Sequence, residues 1–248
     1  MRKHERGEMT EELDGKLTRK GELARQRILE SALRLFKGRG YEETTMREIA
    51  AEAGYSPGLT YRYFASKEEL VLVLYQNLNE QLDQYIHELS PISLAERFYQ
   101  TLSQLLTLLA PHRDVFSALF STTLNPHSKA GVFGASTAGI RQRARKSYLR
   151  VIQSAKDAPR EALHEDLATV LYGAHMALVL FWLIDQSKNA ARTRLLLNLL
   201  RDLLKLAQPV LWLPPVRQIL LRLATIIGPL LGDERYEDKD HSGKEVSL

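Results

Sequence analysis

The chain has 248 residues, 44% apolar and 26% charged, with 14 glycines and 9 prolines, values that exclude a disordered, collagen-like or low-complexity chain. There is no cysteine, which removes disulfide frameworks, Cys-based zinc sites, thiolate nucleophiles and thiol redox sensing. A formal charge of +4 permits a nucleic-acid partner without demanding one, and the length suits one domain or a small domain joined to a larger one.

The basic excess lies at the front: residues 1–67 hold 14 Lys/Arg against 11 Asp/Glu, whereas the tail 233–248 holds 3 against 6. Residues 1–20 are charged, without a periodic apolar stripe and without the apolar stretch of a secretory signal. They read as a flexible arm of a cytoplasmic protein.

From about Glu22 the pattern turns helical, with Ile28, Ala32, Leu35 and Phe36 on one face and Gly38 and Gly40 ending the run. Thr45 opens a second helix, with Glu48 completing a capping box and Ile49, Ala50 and Ala53 facing inward. Gly54 breaks the chain after about two turns. Ser56 then offers an N-cap hydroxyl, and Pro57 suits the first position of a third helix that runs to about Phe64. Ser66, with Glu69, starts a long fourth helix carrying Leu70, Leu74, Leu78, Leu82, Tyr85 and Leu89. Two short helices around a tight glycine turn, followed by a long one, form a helix-turn-helix arrangement.

Helical signals continue without strand-like alternation. Ser93 and Glu96 suggest another capping box, and Pro111 starts a helix with Val115, Phe116, Leu119 and Phe120. Asn125–Gly139 reads as a flexible loop. Helix resumes over Ile140–Ala155, then over 161–186, 192–208 and 214–231. The fold class is therefore all-α: an N-terminal helix-turn-helix domain over 21–72, a larger helical domain over 73–232, and an acidic tail over 233–248.

The stretch Thr45–Phe64, TMREIAAEAGYSPGLTYRYF, resembles the TetR family of transcription regulators. The resemblance runs from Ile28 to about Leu72. It rests on the glycine-ended first helix, the Thr-x-x-Glu-Ile-Ala start, the Ala-Gly-x-Ser turn, and Tyr-x-Tyr-Phe followed by Ser-Lys-Glu-Glu-Leu. A helix fits the major groove, presenting its N-terminal side chains to base edges and its first amides to phosphate. In the third helix Pro57, Gly58, Leu59, Thr60, Tyr61, Arg62 and Tyr63 are expected to be exposed. Small Pro57 and Gly58 let the helix tip, opened by Ser56, approach the bases. Phe64 is assigned to a small core with Ile28, Ala32, Phe36 and Ile49.

The resemblance implies further roles. Thr45 matches a phosphate-contacting hydroxyl, Arg47 a guanine-binding position, Tyr61 and Tyr63 aromatics that touch backbone or bases, and Lys67 a phosphate-binding lysine. Leu59 departs from the polar residues often found at its position. An arginine bidentate to guanine is worth about 1–3 kcal/mol of discrimination, whereas a phosphate-bound lysine adds affinity to any sequence.

One helix-turn-helix makes too few contacts for a selective site, so a symmetric homodimer on double-stranded DNA is expected. The resemblance places a four-helix dimer interface on 161–186 and 192–208, where Leu167–Ile184 is apolar all round. By length that segment could span a membrane, but Thr169, Gly173 and His175 and the lack of a flanking basic cluster argue for a buried helix. The last helix, 214–231, could extend the dimer surface or cover a pocket.

The resemblance also implies a small-molecule effector pocket in the larger domain. Phe116, Phe120, Tyr148, His175, Phe181 and Trp182 are its candidate lining, and few charges fall among them, so the effector expected is apolar or aromatic. No phosphate loop, nucleophile elbow or His-Glu-x-x-His motif is present, so no enzyme chemistry, cofactor or metal is expected. His164-Glu165-Asp166 are adjacent and point in different directions on a helix. The expected function is a repressor that dimerises on a palindromic operator and is released by its effector. A regulator whose larger domain only dimerises or recruits proteins stays open.

Overall fold

The structure, a computed structural model, describes residues 19–123 and 137–236. The expected arm over 1–20, apart from its last two residues, lies outside the described residues. So do most of the 125–139 loop and the tail beyond Tyr236. Among the described residues there are ten α-helices and no strand. The chain divides into two compact units, Met1–Leu74 and Tyr75–Leu248.

In the first unit, α1 (Arg19–Arg39) carries Glu22 in its first turn and Lys37 and Arg39 in its last, each opposing the adjacent end of the helix dipole. Gly38 stays inside the helix. Gly40 alone turns left-handed, at φ +94°, and its N–H donates to the Phe36 carbonyl at 2.9 Å. Helix α2 (Met46–Ala53) opens on a complete capping box: Thr45 Oγ1 accepts from the Glu48 N–H, and the Glu48 carboxylate accepts from the Thr45 N–H at 2.8 Å. Gly54, at φ +75°, ends it. Helix α3 (Pro57–Tyr63) starts where Ser56 Oγ accepts from the Leu59 N–H at 3.2 Å.

Ile28, Ala32, Phe36, Ile49 and Phe64 meet in a core where none is more than 2% exposed. Each of the large ones contributes about 2–3 kcal/mol by leaving water. The Arg25 guanidinium lies over the Phe64 ring, 5.0 Å from its centroid.

Helix α4 (Lys67–Glu88) begins in the first unit and ends in the second. At its start Ser66 Oγ accepts from the Glu69 N–H, and the Glu69 carboxylate accepts from the Ala65 N–H, one residue before the position expected. The second unit comprises the rest of α4, then α5 (Leu94–Leu109), α6 (Arg113–Thr123), α7 (Ala138–Gln153), α8 (His164–Ile184), α9 (Ala191–Ala207) and α10 (Pro214–Ile227). Helix α8 is the hub: α6, α7, α9 and α10 all pack on it, while α9 also lies along α5.

That arrangement revises two expectations, at Ser93 and at the acidic tail, and leaves the buried-helix reading of 161–186 in place. The apolar circumference of α8 is largely used within its own chain, α10 included; a Cβ added at Gly173 would lie only 2.8 Å from Ile227 Cδ1. By composition 161–184 is long and apolar enough to cross a membrane, yet most of it is buried against these helices. The Ser93–Glu96 capping box does not form. Ser93 makes no side-chain cap, and Asp157 instead accepts from the Leu94 N–H at 2.6 Å from across the fold. The acidic tail does not begin at residue 233 as solvated chain: Asp233 is fully buried, accepting from Thr169 Oγ1 and Arg235 Nη2, both at 2.6 Å. The Tyr236 hydroxyl donates to Asp166, further fastening this end to α8.

Buried Arg97 is the other fixed point. Its guanidinium donates to the carbonyls of Leu89 and Ser90 at 2.7 and 2.8 Å, and to those of Val151 and Ile86 at 3.1 and 3.3 Å. One charged side chain thus satisfies carbonyls at the ends of α4 and α7 that helix geometry leaves without amides.

Candidate nucleic-acid interface

The first unit presents α3 through its first turn. Ser56, Pro57 and Gly58 are exposed, as are Tyr61 and Arg62, and Leu59 and Tyr63 are half-buried. Tyr61 keeps 50% of its surface. Gly58 is informative because its φ is not left-handed and a Cβ there would meet nothing within 4 Å. The described residues impose no packing need for glycine at this position.

Thr60 is the exception among the residues expected to be exposed. It has no exposed surface, and its hydroxyl donates to the Ser56 carbonyl at 3.2 Å. Thr60 lies four residues before buried Phe64, and that helical spacing turns it into the core. It is withdrawn from the exposed set.

Around this helix the other candidates differ in how free they are. Arg47 is exposed on α2 and makes no hydrogen bond or ion pair among the described residues. Thr45 is exposed, but its hydroxyl proton goes to the Glu48 carboxylate at 2.9 Å, so reaching a phosphate requires that bond to break. The bonds from the Thr45 N–H and hydroxyl hold the Glu48 carboxyl below its usual range. Lys67 Nζ donates to the Tyr41 and Glu42 carbonyls at 2.7 and 3.3 Å and lies 4.5 Å from the Tyr41 ring centroid. Its charge is fixed to the loop between α1 and α2.

The six candidate pocket residues of the second unit separate into groups. Tyr148 and His175 come together: the Tyr148 hydroxyl lies 2.8 Å from His175 Nδ1, and both are buried. Tyr172 joins them, with its ring centroid 5.3 Å from that of His175 and 6.0 Å from that of Tyr148. Phe98 meets Tyr148 at 6.0 Å, and Phe116 stacks edge-on with Tyr75, whose hydroxyl hydrogen-bonds that of Tyr172. Trp182 stands elsewhere, under the Arg113 guanidinium at 5.3 Å. Phe120 and Phe181 are half-buried and share no ring contact with the cluster. Sequence reading missed Tyr75, Phe98 and Tyr172; of these only Tyr172, three residues before His175 on one helix, carried a readable signal.

A slim, exposed recognition-type helix on a small helical head, joined to a larger helical unit, defines a helix-turn-helix protein of the kind that enters a DNA groove. Residues 28–74 match the profile of bacterial regulatory proteins of the tetR family, and residues 96–218 match that of the tetracyclin repressor-like C-terminal domain. The chain belongs to the TetR family of transcriptional regulators.

Relatives agree on the head. An HTH-type transcriptional repressor of Mycobacterium tuberculosis is 36% identical over 70 residues, 28% of this chain and 37% of that one. BetI of Brucella anthropi is 37% identical over 62 residues, 25% of this chain and 32% of that one. The chain thus matches little more than a third of the length of these curated relatives. Among solved structures, a tetR-family transcriptional regulator from Streptomyces coelicolor covers 83% of this chain and 89% of its own, with a TM-score of 0.56 and 22% identity. Salmonella enterica GusR covers 77% and 97%, with a TM-score of 0.54 and 21% identity. At that identity the likeness is one of fold.

Proposed function

We propose that this protein is a cytoplasmic repressor that binds a palindromic DNA operator as a homodimer and is released when a small apolar or aromatic molecule occupies the larger unit. The observation that carries the reading is the exposed tip of α3, where Gly58 leaves open space and exposed Tyr61, Arg62 and nearby Arg47 have no hydrogen-bond or ion-pair partner among the described residues. Arg47 reads a guanine edge, Tyr61 and Tyr63 touch bases or backbone, and Ser56 and Pro57 bring the helix start close to phosphate. Lys67 contributes as a charge fixed near the backbone rather than as a free arm.

Selection of bound duplexes from a random pool tests this. A palindromic product is expected, and replacing Arg47 and Tyr61 by alanine together should abolish its enrichment. Duplex binding that survives the pair with its salt dependence unchanged would overturn the assignment.

Dimerisation is supported by apolar surface that the described residues leave uncovered. Leu195, Leu199, Leu203 and Leu206 of α9 are all more than half exposed, and on α8 half-buried Val170, Ala174 and Phe181 form a stripe with exposed Ala177 and Ile184. Both lie at helical spacing, and the exposed Ile219, Ile226 and Leu230 extend the apolar surface along and beyond α10. In sedimentation equilibrium, Leu199→Glu with Leu203→Glu should convert a dimer to a monomer.

A further inference from the structure

One cluster in the larger unit has hydrogen bonds that do not close. His175 is completely buried, with Nδ1 at the Tyr148 hydroxyl and Nε2 without a partner among the described residues. Thr101, one turn along α5 from Phe98, is also completely buried, and its Oγ1 has no partner among the described residues either. Phe98 in turn meets the Tyr148 ring. Buried polar groups are paired as a rule, because they lose water and need a replacement. The unpaired His175 Nε2, held inside this aromatic cluster, points to an absent third party.

Counting protons indicates its chemistry. Burial pushes the His175 imidazole down to about 3, so near neutral pH the ring is uncharged and carries one N–H. The Tyr148 hydroxyl has one proton and bonds only His175 among the described residues. If Tyr148 donates to Nδ1, a single group is left over, the Nε2–H. The opposite tautomer strands two, the Tyr148 proton and the Nε2 lone pair. The first arrangement wastes less and leaves a donor pointing away from the pair.

The arginines near the cluster already have partners of their own. The Arg97 guanidinium, on the same helix as Phe98 and Thr101, is occupied by four carbonyls. Arg141, whose charge acts on Tyr172, donates to Thr137 Oγ1 at 2.6 Å. Burial also pushes the Tyr148 and Tyr172 hydroxyls well up, keeping both rings uncharged.

We infer that the cluster binds an uncharged small molecule with an aromatic or aliphatic body, whose carbonyl or ether oxygen accepts from the Nε2–H of His175. This rests on the reading of the larger unit as the effector sensor and names the chemistry that sensor selects.

The test uses the full chain in two steps. Imidazole 15N NMR of the ligand-free protein should show His175 as the Nε2–H tautomer; an Nδ1–H tautomer overturns the inference. Matched probes then follow in thermal-shift and calorimetric titrations: benzophenone and acetophenone, their carbonyl-free partners diphenylmethane and ethylbenzene, and charged 4-benzoylbenzoate. The ketones should bind about three- to tenfold more tightly than their partners, the value of one net hydrogen bond, and the carboxylate should bind more weakly. His175→Phe should erase the ketone preference and His175→Gln, which keeps a donor, should restore part of it. No stabilisation by any probe, a preference unchanged in His175→Phe, or a preference for the carboxylate overturns the inference. Duplex retention measured alongside separates the two ideas. Ketone binding at His175 without loss of duplex leaves the site standing and removes the sensor, whereas duplex release that ignores His175→Phe does the reverse.

Discussion

The two units are held together by bonds of different range. In the head, the helix starts are capped from three residues away, by Thr45 with Glu48, Ser56 with Leu59 and Ser66 with Glu69. In the body, comparable groups are satisfied from far along the chain: Leu94 by Asp157 at a separation of 63 residues, Val151 by Arg97 at 54, Thr169 by Asp233 at 64, and Trp182 by Arg113 at 69. A head built on local bonds keeps its shape with a small core and can leave a helix bare for a partner. A body built on distant bonds needs the whole unit assembled before any one of them forms.

The contrast is broken most severely at Arg97. Arg97→Ala strands carbonyls of two helices and should cost about 3–5 kcal/mol in urea denaturation of the second unit, with little change in the first. Next comes Asp233. Its burial alone would raise its pKa, but bonds from Arg235 and Thr169 and the charge of Arg145 hold it below the ordinary range. A carboxyl whose pKa is depressed on folding stabilises above the unfolded value of about 3.9 and loses that contribution as pH falls through the folded value. Asp233→Asn should therefore cost about 2 kcal/mol at neutral pH, and the gap from the parent should narrow below about pH 4. Gly54→Ala forces a side chain into a left-handed conformation and should cost the head about 1–2 kcal/mol, read as a lower melting temperature of its transition. Smallest in stability is Tyr61→Ala, within about 0.5 kcal/mol, yet it should weaken duplex binding measurably in fluorescence anisotropy.

The same difference in range explains what the amino-acid order disclosed. Helix starts at Thr45 and Ser56, the stop at Gly54, and the core of Ile28, Ala32, Phe36, Ile49 and Phe64 were legible because each signal lies within a few residues of what it controls. Ser93 misled for the complementary reason. It has the right neighbour in Glu96 but makes no side-chain cap; the long-range bond at this helix start comes from Asp157, on the Leu94 amide, and no local pattern announces a partner 63 residues away. Asp233 looked like tail because the residues around it are charged; its partners Thr169 and Arg145 lie in α8 and α7. In α3 the period alone separates Thr60, turned inward, from Tyr61, turned outward. The pairing of Tyr148 with His175 joins two helices across 27 residues, and its incompleteness became visible only when every buried proton could be counted.

The open space at Gly58 also makes the protein convenient to instrument. Because the natural chain has no thiol, Gly58→Cys would create a unique alkylation target at a position where the fold makes no steric demand. The rate at which iodoacetamide modifies that thiol, slowed whenever nucleic acid covers it, would report occupancy of α3 directly and without a label on the DNA.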